Sequence, residues 1–143
     1  MTLKPTDLML GDFVFASPVS EFPMRVTLID EGGCYLNFEG NEGDPFDGDF
    51  GDNGMQPIPL TPEVLKANGW EEKEETNGWK GRVEIKLCYF NPESCCFFEW
   101  LFPSRILFIN SGMLPPPVQF VHQMQHALRL CGRGDLADNF KVY

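Results

Sequence analysis

The chain reads as an α+β protein, and three observations lead there. Short segments of alternating polarity recur through most of its length. A single long helix-period segment lies near its end. The elements come in blocks, strands then a short helix, strands then a longer helix, where a parallel sheet would need strict β-α-β alternation. At 143 residues one domain spans 1–143, with a β-rich acidic subregion over 1–60. The subregion 61–143 holds a short helix, a β-meander and the C-terminal helix. A chain of this size buries about 68–70% of its unfolded surface, so neither metal nor disulfide is needed to hold it. Apolar content of 43% with thirteen Phe is globular composition.

The elements follow in order. Leu8 to Ala16 is a turn feeding a strand, and Pro18 and Pro23 bound the loop after it. Met24 to Ile29 alternates as a half-buried strand. Asp30-Glu31-Gly32-Gly33 is a hairpin signal, because glycine takes up turn conformations at no steric cost. Cys34 to Phe38 returns. Glu39 to Gly54 is a long acidic, glycine-rich loop with room for a short strand near Phe46 to Phe50. Met55 to Leu60 is extended, since alternate prolines forbid a helix. The N-terminal half is therefore a small, twisted antiparallel barrel or sheet, for which a Src-homology-3-like barrel is one candidate.

Thr61-Pro62-Glu63 opens a short helix, with Thr61 as N-cap and Pro62 at the first helical position, and Asn68-Gly69 closes it. Glu71 to Trp79 is a polar connection. Arg82 to Phe90 alternates, Asn91 to Ser94 turns, and Cys95 to Phe102 and Arg105 to Ile109 complete an antiparallel meander. Pro115 to Pro117 lead into a helix over 117–131 that packs on the meander and ends at Gly132. Leu136 to Val142 is a short last strand or an irregular tail.

Composition excludes several classes of function. No stretch approaches the ~20 apolar residues of a membrane span. No basic start precedes an apolar core, so no secretory signal is visible. Five cysteines without a CxxC fit neither a disulfide framework nor a zinc ribbon. Reduced thiols in a cytoplasmic protein fit them, with Cys95 and Cys96 beside Phe97 and Phe98 as quiet core residues. The net charge is −10, and residues 1–60 carry eleven acids against Lys4 and Arg25. Phosphate contacts need Lys and Arg, so nucleic acid is excluded as a partner. Solubility, a basic partner or a cation each fit the acidic loop 39–54. Its carboxylates match no EF-hand frame, because glycine or leucine falls where ligands are needed.

The helix 117–131 carries the one motif with metal spacing. Phe120, Val121, Met124, Ala127, Leu128 and Cys131 form an apolar stripe about 100° wide. His122 and His126 are four apart and project, with Arg129, from the opposite side. In the zinc motif H-E-x-x-H the glutamate is the general base. Gln123 holds that position here, and an amide cannot take a proton from water. Cys131 lies on the wrong side to be a third ligand. His122 and His126 are thus candidates for adventitious metal only, and with Arg129 they make the candidate interaction surface. Trp70, Trp79 and Trp100 read as core or interface residues. Ser104 and Ser111 lack the context of a nucleophile, and Arg133-Gly134-Asp135 is too common a tripeptide to carry weight.

Two segments carry a resemblance. Met55-Gln56-Pro57-Ile58-Pro59-Leu60-Thr61-Pro62-Glu63-Val64-Leu65, followed by Asn68-Gly69-Trp70, resembles a "PIPLT, short helix, GF" segment. Phe120 to Leu128 resembles a "YVHQLQNLYFAL" helix. Both occur in that order in small proteins of gut Bacteroides-type bacteria and their phages, after an N-terminal segment like Leu10 to Val14. The resemblance implies a fold and a mobile-genetic-element context, and no activity. His126 departs from the pattern, where an Asn-like residue is usual, and the tail lacks the "GEEL" ending.

The expectation is a non-enzymatic cytoplasmic protein that binds an unknown protein partner, of prophage or mobile-element origin, with no catalytic residue and no cofactor. Two rivals are a metal-dependent hydrolase using His122 and His126, and an acidic inhibitor that mimics nucleic acid. The oligomeric state is left open.

Overall fold

The computed structural model describes residues 2–41, 43–79, 82–91, 96–102, 106–109, 112–113, 118–130 and 132–142, with the backbone alone over 71–117. The expected turn over 92–94, the prolines 115–117, and Cys95, Ser104, Ser111 and Cys131 lie outside the described residues. So do the side chains of Trp79, Cys96 and Trp100. The chain forms two compact units, one of residues 1–59 and 120–142, the other of 60–119 with Tyr143. The second unit is therefore an insertion between Pro59 and Phe120.

The first unit holds β1 (Phe13–Phe15), β2 (Pro23–Ile29), β3 (Gly33–Asn37), β4 (Phe46–Asp49) and β5 (Gln56–Pro57). They make an antiparallel sheet in the order β4-β3-β2-β1-β5. Successive side chains of a strand alternate between faces. One face of this sheet buries Val14, Met24, Val26, Cys34 and Leu36, joined by Leu3, Leu8 and Met55. A register shift between Val26 and Leu28 puts Thr27 and Leu28 both on the exposed side. β4 is the short strand within the acidic loop. The loop is closed by Met55 N donating to Asp49 O at 2.7 Å and by Gln56 Nε2 donating to the carbonyls of Asp52 and Gly54.

The second unit holds α1 (Pro62–Ala67) and β6 (Glu71–Trp79), β7 (Arg82–Asn91), β8 (Cys96–Phe102), β9 (Ile106–Ile109) and β10 (Gly112–Met113). These strands form an antiparallel meander in simple succession. α1 is built as its sequence dictates. Thr61 Oγ1 accepts from Val64 N at 3.2 Å. Gly69, at φ +80°, lets Gly69 N and Trp70 N donate back to Lys66 O and Leu65 O, the hydrogen-bond pair of a glycine-ended helix. Glu71 to Trp79 is a strand where a polar connection was expected. It is the outer strand of the meander, pairing only with β7 among the described strands, and charged residues suit an edge that must not recruit other chains.

The C-terminal helices correct two further expectations. α2 spans Val121–Leu130, shorter than 117–131, and belongs to the first unit, not to the meander. Its stripe is as expected, with Val121, Met124, Ala127 and Leu128 buried. Gly132, at φ +76°, ends it, with Gly132 N and Arg133 N donating to Arg129 O and Leu128 O. The tail expected as strand or irregular forms α3 (Gly134–Asp138). Arg133 and Asp135 pair with each other there, through Nε at 3.0 Å and Nη2 at 2.8 Å. No helix among the described residues is long and apolar enough to cross a membrane.

Candidate functional site

α2 is buried on both sides. Its polar side lies against the Met9–Phe13 turn that leads into β1, and Asp12 is the centre of the contact. The Asp12 carboxylate is fully buried. Its Oδ2 accepts from Met9 N at 2.8 Å and lies 2.6 Å from His126 Nε2. Its Oδ1 accepts from Arg129 Nη1 at 2.7 Å. An ionised carboxylate is acceptor only, so His126 carries its proton on Nε2. Gly11 makes the approach possible. It holds φ +90°, and a Cβ there would sit 3.1 Å from Arg129 Nη2.

Gln125 completes the seam. It is fully buried. Its Oε1 accepts from Phe13 N at 2.9 Å, and its Nε2 donates to Gly11 O and Ala137 O, both at 3.0 Å. One amide thus joins β1, α2 and α3. Gln123, which stands where a zinc protease has its base, accepts from Phe120 N at 3.1 Å. That is half of a helix-capping arrangement.

The placement of His122 corrects the expected interaction surface. His122 is 1% exposed, stacked on Phe120 at 6.0 Å between ring centres and edge-on to His126 at 5.7 Å. Its Nδ1 has no hydrogen-bond partner. Burial lowers its pKa from 6.5 to about 4, with Asp12 opposing the shift and His126 adding to it. A helical polar face gave the impression of a surface, but Gln125, His126 Nε2 and Arg129 Nη1 bond to protein instead of water, and His122 Nδ1 and Arg129 Nη2 are buried without a hydrogen-bond partner. Arg129 is likewise held by Asp12, with its Nη2 3.7 Å from Asp138 Oδ1. The spacing of His122 and His126 does not present two imidazoles to one ion, since Asp12 occupies Nε2 of one and the other is enclosed. Among the described residues no three His, Cys, Asp or Glu side chains are gathered as metal ligands.

Scans against protein-family models, curated proteins and solved structures each returned no match.

Asp12, His126, Arg129 and Gln125 form a latch that fixes a helix to a turn. Among the described residues, a surface with room for a ligand lies elsewhere, on the outer face of the first sheet. A cross-strand row Leu28–Tyr35–Asp47 runs over β2, β3 and β4 by register, and all three residues are exposed. Beside it runs the row Phe13–Arg25–Asn37, with the Arg25 guanidinium 4.8 Å above the Phe13 ring. Between the rows opens a groove of about 650 Å³ lined by Phe13, Arg25, Tyr35, Phe38, Glu39 and Pro45 among others. Phe38 is flanked by Phe22 edge-on at 5.2 Å and by Phe46 stacked at 6.0 Å. On the other side of Tyr35 lies a depression of about 310 Å³ bordered by Asp30, Asp47 and Asp49. Cys34 adjoins it, but burial pushes this thiol up to about 11, with Asp30 adding to the shift, so it is a poor nucleophile. Sequence reasoning missed Asp12, Gln125 and this face. A signal for the latch was present: the polar side of α2 carries His and Gln in place of the Lys and Glu of a solvated helix.

Proposed function

We propose that this chain is a non-enzymatic cytoplasmic protein-binding module, of prophage or mobile-element origin, and that the outer face of the first sheet is its binding face. The observation that carries the reading is the clustering of large apolar side chains in the open there. Leu28 is 41% and Tyr35 45% exposed; they stand opposite each other by register, and Tyr35 shares the groove with Phe13. Contiguous exposed apolar surface marks interaction sites in proteins whose interiors are otherwise well packed. The resemblance of the Met55–Trp70 and Phe120–Leu128 segments supports the mobile-element setting. The Src-homology-3-like character read for residues 1–60 belongs to the same proposal, since small modules of that kind work by binding.

The test compares capture by wild-type protein with capture by Tyr35→Ala and Leu28→Ala variants in a lysate of the host. A partner held by wild type and lost with either variant, at unchanged melting temperature, is the expected result. A partner retained equally by all three would remove the sheet face from the reading.

A second reading has one observation in its favour. Asp47 and Asp49 stand on the same side of β4, opposite Tyr35 and Gly33, so the acidic loop places carboxylates on ordered structure. An inhibitor that mimics nucleic acid would use them against a basic site. It predicts competition between this protein and DNA for the captured partner.

A further inference from the structure

We infer that the occupant of this face is an extended, basic segment of another protein, laid across Tyr35 with apolar side chains in the groove and a Lys or Arg in the acidic depression. The inference rests on the protein-binding reading above and adds the chemistry of the partner.

The two hollows share one wall. Tyr35 lines both, so a chain crossing its ring enters the aromatic groove on one side and the carboxylate-bordered depression on the other. The path from β1 to β4 covers three strand spacings, about 15 Å, which four or five extended residues span. The occupant therefore needs an apolar residue and a basic one about four positions apart.

Charge selects the sign. The residues of the first unit, 1–59 and 120–142, carry thirteen acids against five bases. Among the described residues lining the groove Arg25 is the one base, and it is already engaged: its Nη2 donates to Asp138 O at 2.7 Å and its guanidinium lies over Phe13. Asp47 and Asp49 are exposed at the mouth of the depression. A cationic side chain entering there meets an uncompensated negative field. A nucleic acid is repelled by it, and so is a second copy of a chain whose net charge is −10. The aromatic rings add a surface on which the stem of a Lys or the plane of an Arg can lie.

The experiment selects random dodecapeptides displayed on phage against the full-length protein, then measures the enriched peptides by fluorescence anisotropy. Expected are peptides with Lys or Arg about four positions from an aromatic, aliphatic or prolyl residue. Their affinity should fall about tenfold with Asp47→Asn/Asp49→Asn and about tenfold with Tyr35→Ala. It should also fall several-fold between low and moderately high salt. Circular dichroism of each variant establishes that it folds. Enriched peptides without basic residues, still lost with Tyr35→Ala, would overturn the inference and leave the binding face standing. Peptides indifferent to Tyr35→Ala would overturn both. Failure to enrich any peptide overturns the extended segment and leaves a folded partner to the lysate experiment.

Discussion

Asp12 Oδ2 and His126 Nε2 lie 2.6 Å apart across 114 residues of sequence, and the same carboxylate holds Arg129 at 2.7 Å. Asp12 is the anion for a cation and an imidazole that share its enclosed site. Asp12→Ala strands the Arg129 charge and should cost about 3–5 kcal/mol, the range for breaking a buried pair from one side. Asp12→Asn keeps an acceptor for Met9 N or Arg129 and should cost less. Urea unfolding of the three proteins checks the order. An Asp12→Ala protein as stable as wild type would show that the latch contributes nothing.

Gln125 offers a sharper test, because its two ends face opposite requirements. Its Oε1 accepts from Phe13 N, and its Nε2 donates to Gly11 O and Ala137 O. Gln125→Leu leaves Phe13 N and Gly11 O without this partner, while Ala137 O keeps Phe140 N, and should cost about 2 kcal/mol or more, at about 1–3 for each unpaired group. Gln125→Glu should be worse still at neutral pH, since an ionised oxygen then faces two carbonyls. It should regain stability on acidification, when the protonated acid can donate. Unfolding curves at pH 7 and 5 decide the matter, and a Glu variant that weakens on acidification more than wild type counts against the arrangement.

The sequence made some of this legible and hid the rest for identifiable reasons. The apolar stripe of α2, the Thr61 cap and the endings at Gly69 and Gly132 follow from local rules, and the structure has them. The other side of α2 obeys no local rule. Polarity shows that His122, Gln125 and His126 need hydrogen-bond partners, but a helical wheel cannot say whether water or a distant Asp12 supplies them. Glu71 to Trp79 looked like a connection because half-buried strands alternate, whereas this strand sits at a sheet edge. Chain order also concealed that α2 returns to the first unit after an inserted meander. The outer-face groove depends on strand register, which sets Tyr35 opposite Asp47 and Leu28.

The acidic loop is built structure, and its glycines can be used to show it. A Cβ added at Gly54 would collide with the carbonyl oxygen of Asp49, while one at Gly43 would meet nothing within 4 Å. Gly54→Ala should therefore break the 49–55 closure and cost about 3 kcal/mol or more, beyond ordinary overpacking. Gly43→Ala should stay within about 0.5 kcal/mol of wild type. Thermal melts of both variants make the comparison. Equal stability would mean that 49–55 adopts no fixed turn.

His122 makes stability depend on pH with a definite sign. Burial lowers its folded pKa from 6.5 to about 4, so between those values the unfolded chain binds a proton that the folded chain refuses. Stability from keeping this ring neutral is fully present above pH 6.5 and is lost as pH falls through 4. The loss should amount to roughly 3 kcal/mol over that window. His122→Phe keeps a flat ring beside Phe120 and cannot protonate. Its stability should fall less than that of wild type between pH 6.5 and 4, whatever its value at neutral pH. Urea denaturation at half-unit pH steps isolates this difference from the titration of the carboxylates, which both proteins share. Parallel curves for the two proteins would mean that His122 protonates as readily in the fold as outside it.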